Sequence, residues 1–384
     1  MSSTRPQAMA HFDMAIPHAG ASLKQLKEEG QKVVGFYCVF APQELVVAAG
    51  ATPVALCATK EEPIADGEKT LPRNFCPLIK SSYGFAVTDK CPFFLHSDLI
   101  IGETTCDGKK KMFELMANFK PTHVMNMPQG YQTAEDLQYW TASVEKLQRE
   151  LETRLGVAIT EEKLKAAIAE LNAERVKIQE LSNFMKADPV PLNGQDMLKV
   201  LWARNFVFDR EEFALQIDEL LEQIKEMAAK GEGAFPKGAK RVVVTGVPTG
   251  LGAEKVIRII EECGAAVVYI ENCSGMKQYV DLVDENKPPL AAVAEKYLNT
   301  PCSCMSPNPR RMERISQVVA DYQADGVVDI VWQGCHTYNV ESRVLREHLK
   351  QNSDVPFLHI ETDYSQGDAE QIKTRVQAFL EMMR

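Results

Sequence analysis

The chain has 384 residues and a formal net charge of −10, with 45% hydrophobic and 25% charged residues. This length allows two or three domains, and the acidic balance argues against nucleic acid or an anionic membrane as the main partner. No segment reaches the roughly 18 apolar residues of a transmembrane helix, and residues 1–15 lack the pattern of a signal peptide, so we expect a cytoplasmic protein.

The first part of the chain, residues 1–132, alternates strand and helix patterns. Short apolar runs predict strands at 32–37, 52–56, 98–102 and 122–128, and a helix is predicted over 42–49, ended by Gly50. Strands of this kind between helices are typical of a parallel sheet that is covered on both faces. We therefore predict an N-terminal α/β domain here.

Residues 133–236 have the pattern of long helices followed by a linker. Thr133 and Asp209 each stand three residues before an acidic residue, a spacing typical of helix starts. Between 161 and 185, leucine and isoleucine recur at helical spacing, which predicts a buried stripe. The glycine-rich run 230–238 is the predicted linker.

Residues 237–384 are predicted to form a second α/β domain. Apolar runs predict strands at 241–246, 266–270, 329–332 and 357–360, and a helix at 253–263. The motif order resembles that of the first domain, with Asp98 and Cys106 matched by Asp329 and Cys335. The chain therefore predicts two similar Rossmann-like or flavodoxin-like domains with parallel sheets, related by duplication, plus a helical segment.

Ten cysteines are distributed along the chain. Disulfides are not the default in a reducing cytoplasm, and any single cysteine is most often a small buried hydrophobe. Two sets of three, however, follow predicted strands or open predicted helices, where an open α/β sheet binds ligands. They are Cys38, Cys76 and Cys106 in the first domain, and Cys273, Cys304 and Cys335 in the second, with Cys302 as a close alternative to Cys304. Cys57, Cys91 and Cys263 are predicted to be structural.

The spacing of these thiols bears on the metal that they would hold. Three widely separated thiolates per domain suit an iron–sulfur cubane that leaves one iron for another ligand. Zinc sites more often contain a CxxC pair, and ferredoxins a compact CxxCxxC run; neither is present. From the residues alone, an iron–sulfur cluster and buried cysteines with a zinc site both remain open.

Three segments carry a resemblance to a known family. GFYCVFAPQEL (35–45), CPLIKSS (76–82) and GETTCDGKKK (102–111) resemble the 2-hydroxyacyl-CoA dehydratase/benzoyl-CoA reductase subunit family. The resemblance covers nearly the whole chain. It implies that Cys38, Cys76 and Cys106 hold a [4Fe–4S] cluster.

Further cysteines in NCSG (272–275), CSCMSPN (302–308) and GCHTY (334–338) are similar to the double-cubane branch of that family. This resemblance implies two cubanes bridged into one [8Fe–9S] cluster, and electrons from a separate ATP-hydrolysing reductase with its own [4Fe–4S] cluster. The two cysteine sets should then face each other across the cleft, on the order of 10 Å apart. The segment 133–230 should pack outside it, and we expect the chain to form a homodimer.

Other residues near these cysteines are candidates for proton transfer or charge compensation. His336 follows a predicted ligand and is a candidate proton relay or hydrogen-bond partner of the ligand, and Glu103 and Asp107 are further candidate donors. Lys109–Lys111 are predicted mainly as a solvated basic face, with stabilisation of a reduced cluster or reductase docking as the alternative. The glycine-rich turn 245–252 lacks a complete nucleotide-binding pattern and is predicted to face the cleft.

The resulting functional prediction is an ATP-dependent, low-potential reductase component that reduces small molecules. One alternative is a 2-hydroxyacyl-CoA dehydratase subunit with a single [4Fe–4S] cluster, and another is a non-catalytic electron carrier. About eight iron atoms per chain would support the reductase component and about four the dehydratase subunit.

Overall fold

The structure is a computed structural model that describes residues 5–383. We call residues 5–132 the first half, 133–236 the helical segment, and 237–383 the second half. The first half contains α1 (Met9–Glu28), β1 (Val33–Phe36), α2 (Gln43–Ala48), β2 (Thr52–Ala55), α3 (Ile64–Gly67), α4 (Pro77–Thr88), α5 (Pro92–His96), β3 (Leu99–Glu103), α6 (Asp107–Met116) and β4 (Thr122–Met125). No helix within residues 5–383 is both long and apolar enough to cross a membrane.

The helical segment contains four helices, and the second half repeats the strand–helix alternation. The four helices are α7 (Ala134–Leu155), α8 (Glu161–Phe184), α9 (Gly194–Ala203) and α10 (Arg210–Lys230). The second half contains β5 (Arg241–Gly246), α11 (Lys255–Glu262), β6 (Ala266–Glu271), α12 (Pro289–Leu298), α13 (Pro309–Asp321), β7 (Gly326–Trp332), α14 (His336–Asn352), β8 (Phe357–Thr362) and α15 (Ala369–Glu381).

Two parallel sheets of the same topology confirm the predicted fold class. Their strand orders are β2-β1-β3-β4 and β6-β5-β7-β8, so each strand of the first sheet has a counterpart in the second. Every strand pair is parallel. In both sheets the strand order reverses beside the first strand, which is where α/β sheets of this kind bind ligands.

The sequence matched Asp98 with Asp329, but in the structure a different aspartate of the second half occupies the position of Asp98. The carboxylate of Asp98 accepts a hydrogen bond from the Val33 backbone N–H at 2.8 Å, and Asp325 accepts one from the Arg241 N–H at 2.7 Å. Asp325, which stands just before β7, is therefore the structural counterpart of Asp98. Asp329 instead lies fully buried inside β7, so that strand begins earlier than predicted.

The helical segment packs against both halves. The Thr133 side chain and the Asp136 carboxylate form the predicted capping box at the start of α7, and Asp209 accepts a hydrogen bond from the Glu212 N–H at the start of α10. The predicted stripe of α8 is buried. Helix α7 contacts β4 and α12, whereas α9 contacts β6 and α11. The segment thus bridges the two sheets, and the predicted linker forms the connection between α10 and β5.

Helix α1 was absent from the sequence prediction, because Pro17 and Gly20 interrupt its helical pattern. It belongs to the first half in sequence, but its N-terminal turns join the core of the second half and α10. Met9 and Phe12 are fully buried there, and the Phe12 ring lies 6.2 Å from that of Phe213 in an edge-on arrangement.

Candidate metal centre

A cavity of about 670 Å³ lies between the two halves, beside the carboxyl ends of their strands. Eight of the ten cysteines line it: Cys38, Cys57, Cys76 and Cys106 from the first half, and Cys273, Cys302, Cys304 and Cys335 from the second. Cys91 and Cys263 lie away from it. The structure thus brings all six predicted ligand cysteines to one cavity, together with Cys302 and Cys57.

The fold explains why the first-half cysteines meet. Cys38 and Cys57 each stand two residues after a strand, β1 and β2 respectively. Cys76 and Cys106 are the residues immediately before α4 and α6, and the Cys106 sulfur accepts a hydrogen bond from the Lys109 backbone N–H at 3.4 Å. Parallel strands end at the same edge, and helix N-termini there favour negative charge on sulfur.

The second half places its cysteines at related points, and the match of Cys335 with Cys106 is the one that the sequence indicated. Cys335 immediately precedes α14, as Cys106 precedes α6. Cys273 stands two residues after β6, the counterpart of β2, so its equivalent in the first half is Cys57. Pro248, which also lines the cavity, stands where Cys38 does.

The thiols of the two halves are close enough to influence each other's ionisation. Burial raises the pKa of Cys38 to about 12, and the Cys302 thiol contributes in the same direction. Burial also raises the pKa of Cys76 to about 12, with a further contribution from Cys335. Ionisation of Cys38 and Cys76 therefore requires a cation or a metal to stabilise the thiolates.

Cys302 occupies a distinctive position among the second-half thiols. The thiols of Cys273 and Cys304 donate hydrogen bonds to its sulfur and lower the pKa of Cys302 well below its usual value. Its sulfur also lies 3.7 Å from the Tyr338 hydroxyl. Cys302 is the more buried of the Cys302–Cys304 pair and is surrounded by sulfur and hydroxyl groups.

Each half buries one lysine beside these cysteines. Lys109 is 8% exposed, and its ammonium donates a hydrogen bond to the Tyr37 carbonyl at 3.3 Å. Burial lowers the pKa of Lys109, but Cys38, Cys57 and Glu103 outweigh that effect, and the pKa rises. Lys110 and Lys111 are exposed, so the predicted solvated basic face is correct for these two and wrong for Lys109, which points inward.

In the second half, Lys277 forms a buried network. Its ammonium lies 3.3 Å from the Glu271 carboxylate and donates to the Tyr338 hydroxyl at 3.0 Å. The fully buried Arg311 contacts the same carboxylate and pairs with Glu341. This network supports the wall that carries Cys273 and Cys302.

The three candidate residues for proton transfer lie in different surroundings. His336 lines the cavity and is exposed at its edge. Glu103 is fully buried at the end of β3, and neither carboxylate oxygen has a hydrogen-bond partner among the described residues. Burial raises the pKa of Glu103 to about 8, so this side chain carries a proton at neutral pH. Asp107 lines the cavity with its side chain in solvent.

The donor set fits a group larger than one ion. Within residues 5–383, no three His, Cys, Asp or Glu side chains converge closely enough to hold a single metal ion. The thiols instead surround a cavity whose apolar wall includes Phe75 and Trp332, and two buried ammonium groups stand behind them. Soft thiolate ligands and nearby positive charge are features that suit an iron–sulfur cluster. The glycine-rich turn also faces this cavity, through Val247 and Pro248.

Comparison with known proteins places these features in a family. The family model described as "2-hydroxyglutaryl-CoA dehydratase, D-component" matches residues 38–383. A putative dehydratase subunit of Escherichia coli K12, YjiM, is 46% identical, with 98% of each chain covered. The (R)-phenyllactyl-CoA dehydratase beta subunit of Clostridium sporogenes is 24% identical, and a benzoyl-CoA reductase subunit of Thauera aromatica is 20% identical, each with 94% of both chains covered.

Proposed function

Because the chain belongs to the 2-hydroxyglutaryl-CoA dehydratase D-component family, we propose that it is the iron–sulfur component of an ATP-dependent, low-potential reductase. Cys38, Cys76 and Cys106 would hold one cubane, and Cys273, Cys304 and Cys335 the second, of a double-cubane [8Fe–9S] cluster. The observation that carries this proposal is the single cavity lined by cysteines from both halves. When bound, the cluster would supply electrons at low potential to a small-molecule substrate.

The chain's own residues would hold the cluster and tune its charge. The buried ammonium groups of Lys109 and Lys277 offset the negative charge of the thiolates. Once Cys273 and Cys304 hold the cluster as thiolates, the neighbouring Cys302 thiol would donate hydrogen bonds to their sulfurs, and such bonds raise a cluster's reduction potential. The Cys57 thiol already donates to the Tyr37 carbonyl at 2.6 Å, which supports a structural role.

Protons for the reduction would come from two places. His336 stands exposed at the cavity edge, where its imidazole would pass protons from solvent inward. Glu103, which is buried beside Lys109 and Cys38, would hold a proton close to the cavity.

Electrons would come from a separate ATP-hydrolysing reductase that carries its own [4Fe–4S] cluster. The relatives are named as subunits, which supports a multi-component system. The exposed Lys110 and Lys111 stand at the cavity edge and would contribute to docking. We propose a homodimer as the form of this component.

Metal analysis of anaerobically purified protein tests the proposal. We expect a brown protein that bleaches in air and contains about eight iron atoms per chain. Serine substitution of any of the six proposed ligands should lower the iron content. Cys57→Ser inside the cavity and Cys91→Ser outside it are matched controls that should retain it. Colourless protein with stoichiometric zinc would overturn the cluster assignment.

A second candidate function follows from the names of the relatives. Two dehydratase beta subunits match across nearly the whole chain at 24% and 26% identity, which favours a 2-hydroxyacyl-CoA dehydratase subunit with a single [4Fe–4S] cluster. That protein would contain about four iron atoms, and Cys304→Ser would leave its iron content unchanged. A non-catalytic electron carrier would show no substrate reduction in the presence of ATP and the partner reductase.

A further inference from the structure

A second cavity lies where the two halves and the helical segment meet. Its volume is about 10 Å³, which is close to the space that one water molecule occupies. Its wall combines polar residues from all three parts of the chain: Gln43 from the first half, Glu174, Arg175, Arg204 and Asn205 from the helical segment, and Gln278 and Lys296 from the second half.

The two arginines at this junction are already neutralised by carboxylates. Arg175 pairs with the fully buried Glu44 at 2.7 Å, and Glu44 also accepts a hydrogen bond from the Tyr297 hydroxyl at 2.8 Å. Arg204 pairs with Glu174, which also lies 3.3 Å from Arg210. Each of these carboxylates is thus already paired with an arginine, and Glu44 also attracts the neighbouring Lys296 without forming an ion pair with it.

Among the described residues that line this cavity, Lys296 is the cation without a paired carboxylate. It is 8% exposed, it lines the cavity, and it forms no hydrogen bond or ion pair with any residue between 5 and 383. Its ammonium nitrogen lies over the Tyr297 ring, whose centroid is 4.0 Å away. Burial and the neighbouring Arg175 lower the pKa of Lys296 to about 7, although Glu44 and Asp281 act in the opposite direction. A buried ammonium without a counterion is unfavourable, so the cavity favours an anionic occupant.

We propose that this cavity binds one monatomic, monovalent anion, chloride in ordinary solution, paired with the Lys296 ammonium. The volume excludes phosphate, sulfate and carboxylates, and a single negative charge balances the one uncompensated cation. The amide side chains of Gln43 and Gln278 line the same space and provide neutral N–H donors. Since residues from all three parts of the chain line the cavity, the bound anion would stabilise the junction between them, which lies next to the Cys38 loop.

Halide-dependent stability of the full-length protein tests this site. Thermal unfolding should be followed after dialysis into sodium gluconate, and then as chloride replaces gluconate at constant ionic strength. We expect the Tm to rise and then saturate as the site fills, because a ligand that binds only the folded state stabilises it. Lys296→Met should remove the difference in Tm between chloride and gluconate. Lys296→Gln replaces it in this test if Lys296→Met does not fold. Lys287→Met, at an exposed lysine paired with Glu295, should retain the difference.

Crystals grown in bromide provide a structural readout that does not depend on metal loading. We expect an anomalous peak in this cavity for the wild-type protein and none there for the Lys296 variant. Equal Tm values in chloride and gluconate, an unchanged salt effect in the Lys296 variant, or a cavity holding only water would each overturn the proposal. None of these readouts depends on iron, so failure here is distinguishable from failure of the proposed function.

Discussion

Substitution of Lys109 by methionine gives the sharpest functional prediction, because it removes a buried charge and keeps the length of the side chain. The Tyr37 carbonyl accepts a hydrogen bond from the Lys109 ammonium at 3.3 Å and from the Cys57 thiol at 2.6 Å. The ammonium nitrogen is therefore less than about 6 Å from a sulfur of the cavity wall. At an effective dielectric constant of about 20, a unit charge at that distance contributes about 3 kcal/mol.

The direction of the change in midpoint potential follows from the charge of the proposed cluster in its reduced state. Reduction adds negative charge, which the ammonium stabilises, so Lys109→Met should lower the midpoint potential. About 3 kcal/mol corresponds to a shift on the order of 100 mV for a one-electron couple. Glu103 adds no opposing charge at neutral pH, because its pKa is raised to about 8 by burial.

A redox titration monitored by electron paramagnetic resonance, performed without oxygen, measures this shift. Lys110→Met is the matched control, since its side chain is exposed on the same helix and should leave the potential nearly unchanged. If both variants retain full iron and have the midpoint potential of the wild type, the Lys109 ammonium does not stabilise the reduced cluster.

Two further predictions concern stability and assembly. Gly334 and Gly238 share a φ of +76°, but a Cβ at Gly334 would lie 2.6 Å from the Asn74 carbonyl, whereas nothing lies within 4 Å at Gly238. Both alanine variants should lose about 1 kcal/mol of folding stability from backbone strain. Gly334→Ala should also lower the iron content, because Asn74 leads into the Cys76 loop. Equal iron content in the two variants would contradict this prediction. Burial raises the pKa of Glu261 to about 7, so the wild type should lose on the order of 2 kcal/mol of stability as the pH rises from 4.5 to 7. Urea unfolding of Glu261→Gln should lack that loss, whereas Glu262→Gln should retain it.

The sequence predicted the sheets and the location of the cysteines because both depend on local patterns. Apolar runs identified all eight strands, and the alternation with helices indicated parallel sheets. Cysteines that follow strands or precede helices converge at one edge in such a fold. The gathering of Cys38, Cys76 and Cys335 at one cavity was therefore accessible from sequence.

What escaped prediction depends on tertiary contacts. Asp329 looked like the start of a strand, but its charge is buried inside β7 and met by Arg311 at 3.7 Å. Lys109 looked like one of three solvated lysines, and only the Tyr37 carbonyl and nearby thiols explain why it turns inward. The position of Cys57 in the cavity follows from the equivalence of β2 and β6, which requires the sheet order.

The location of α1 also has a consequence for how the chain folds during synthesis. Met9 and Phe12 are synthesised well before Phe213, yet Phe12 packs against Phe213, and both belong to the core that β5 and β7 complete. At about 5–20 residues per second, Phe213 is synthesised roughly 10 to 40 s after Phe12. During that interval its apolar side chains remain exposed, so the nascent chain offers a binding segment for a chaperone before the last third of the protein exists.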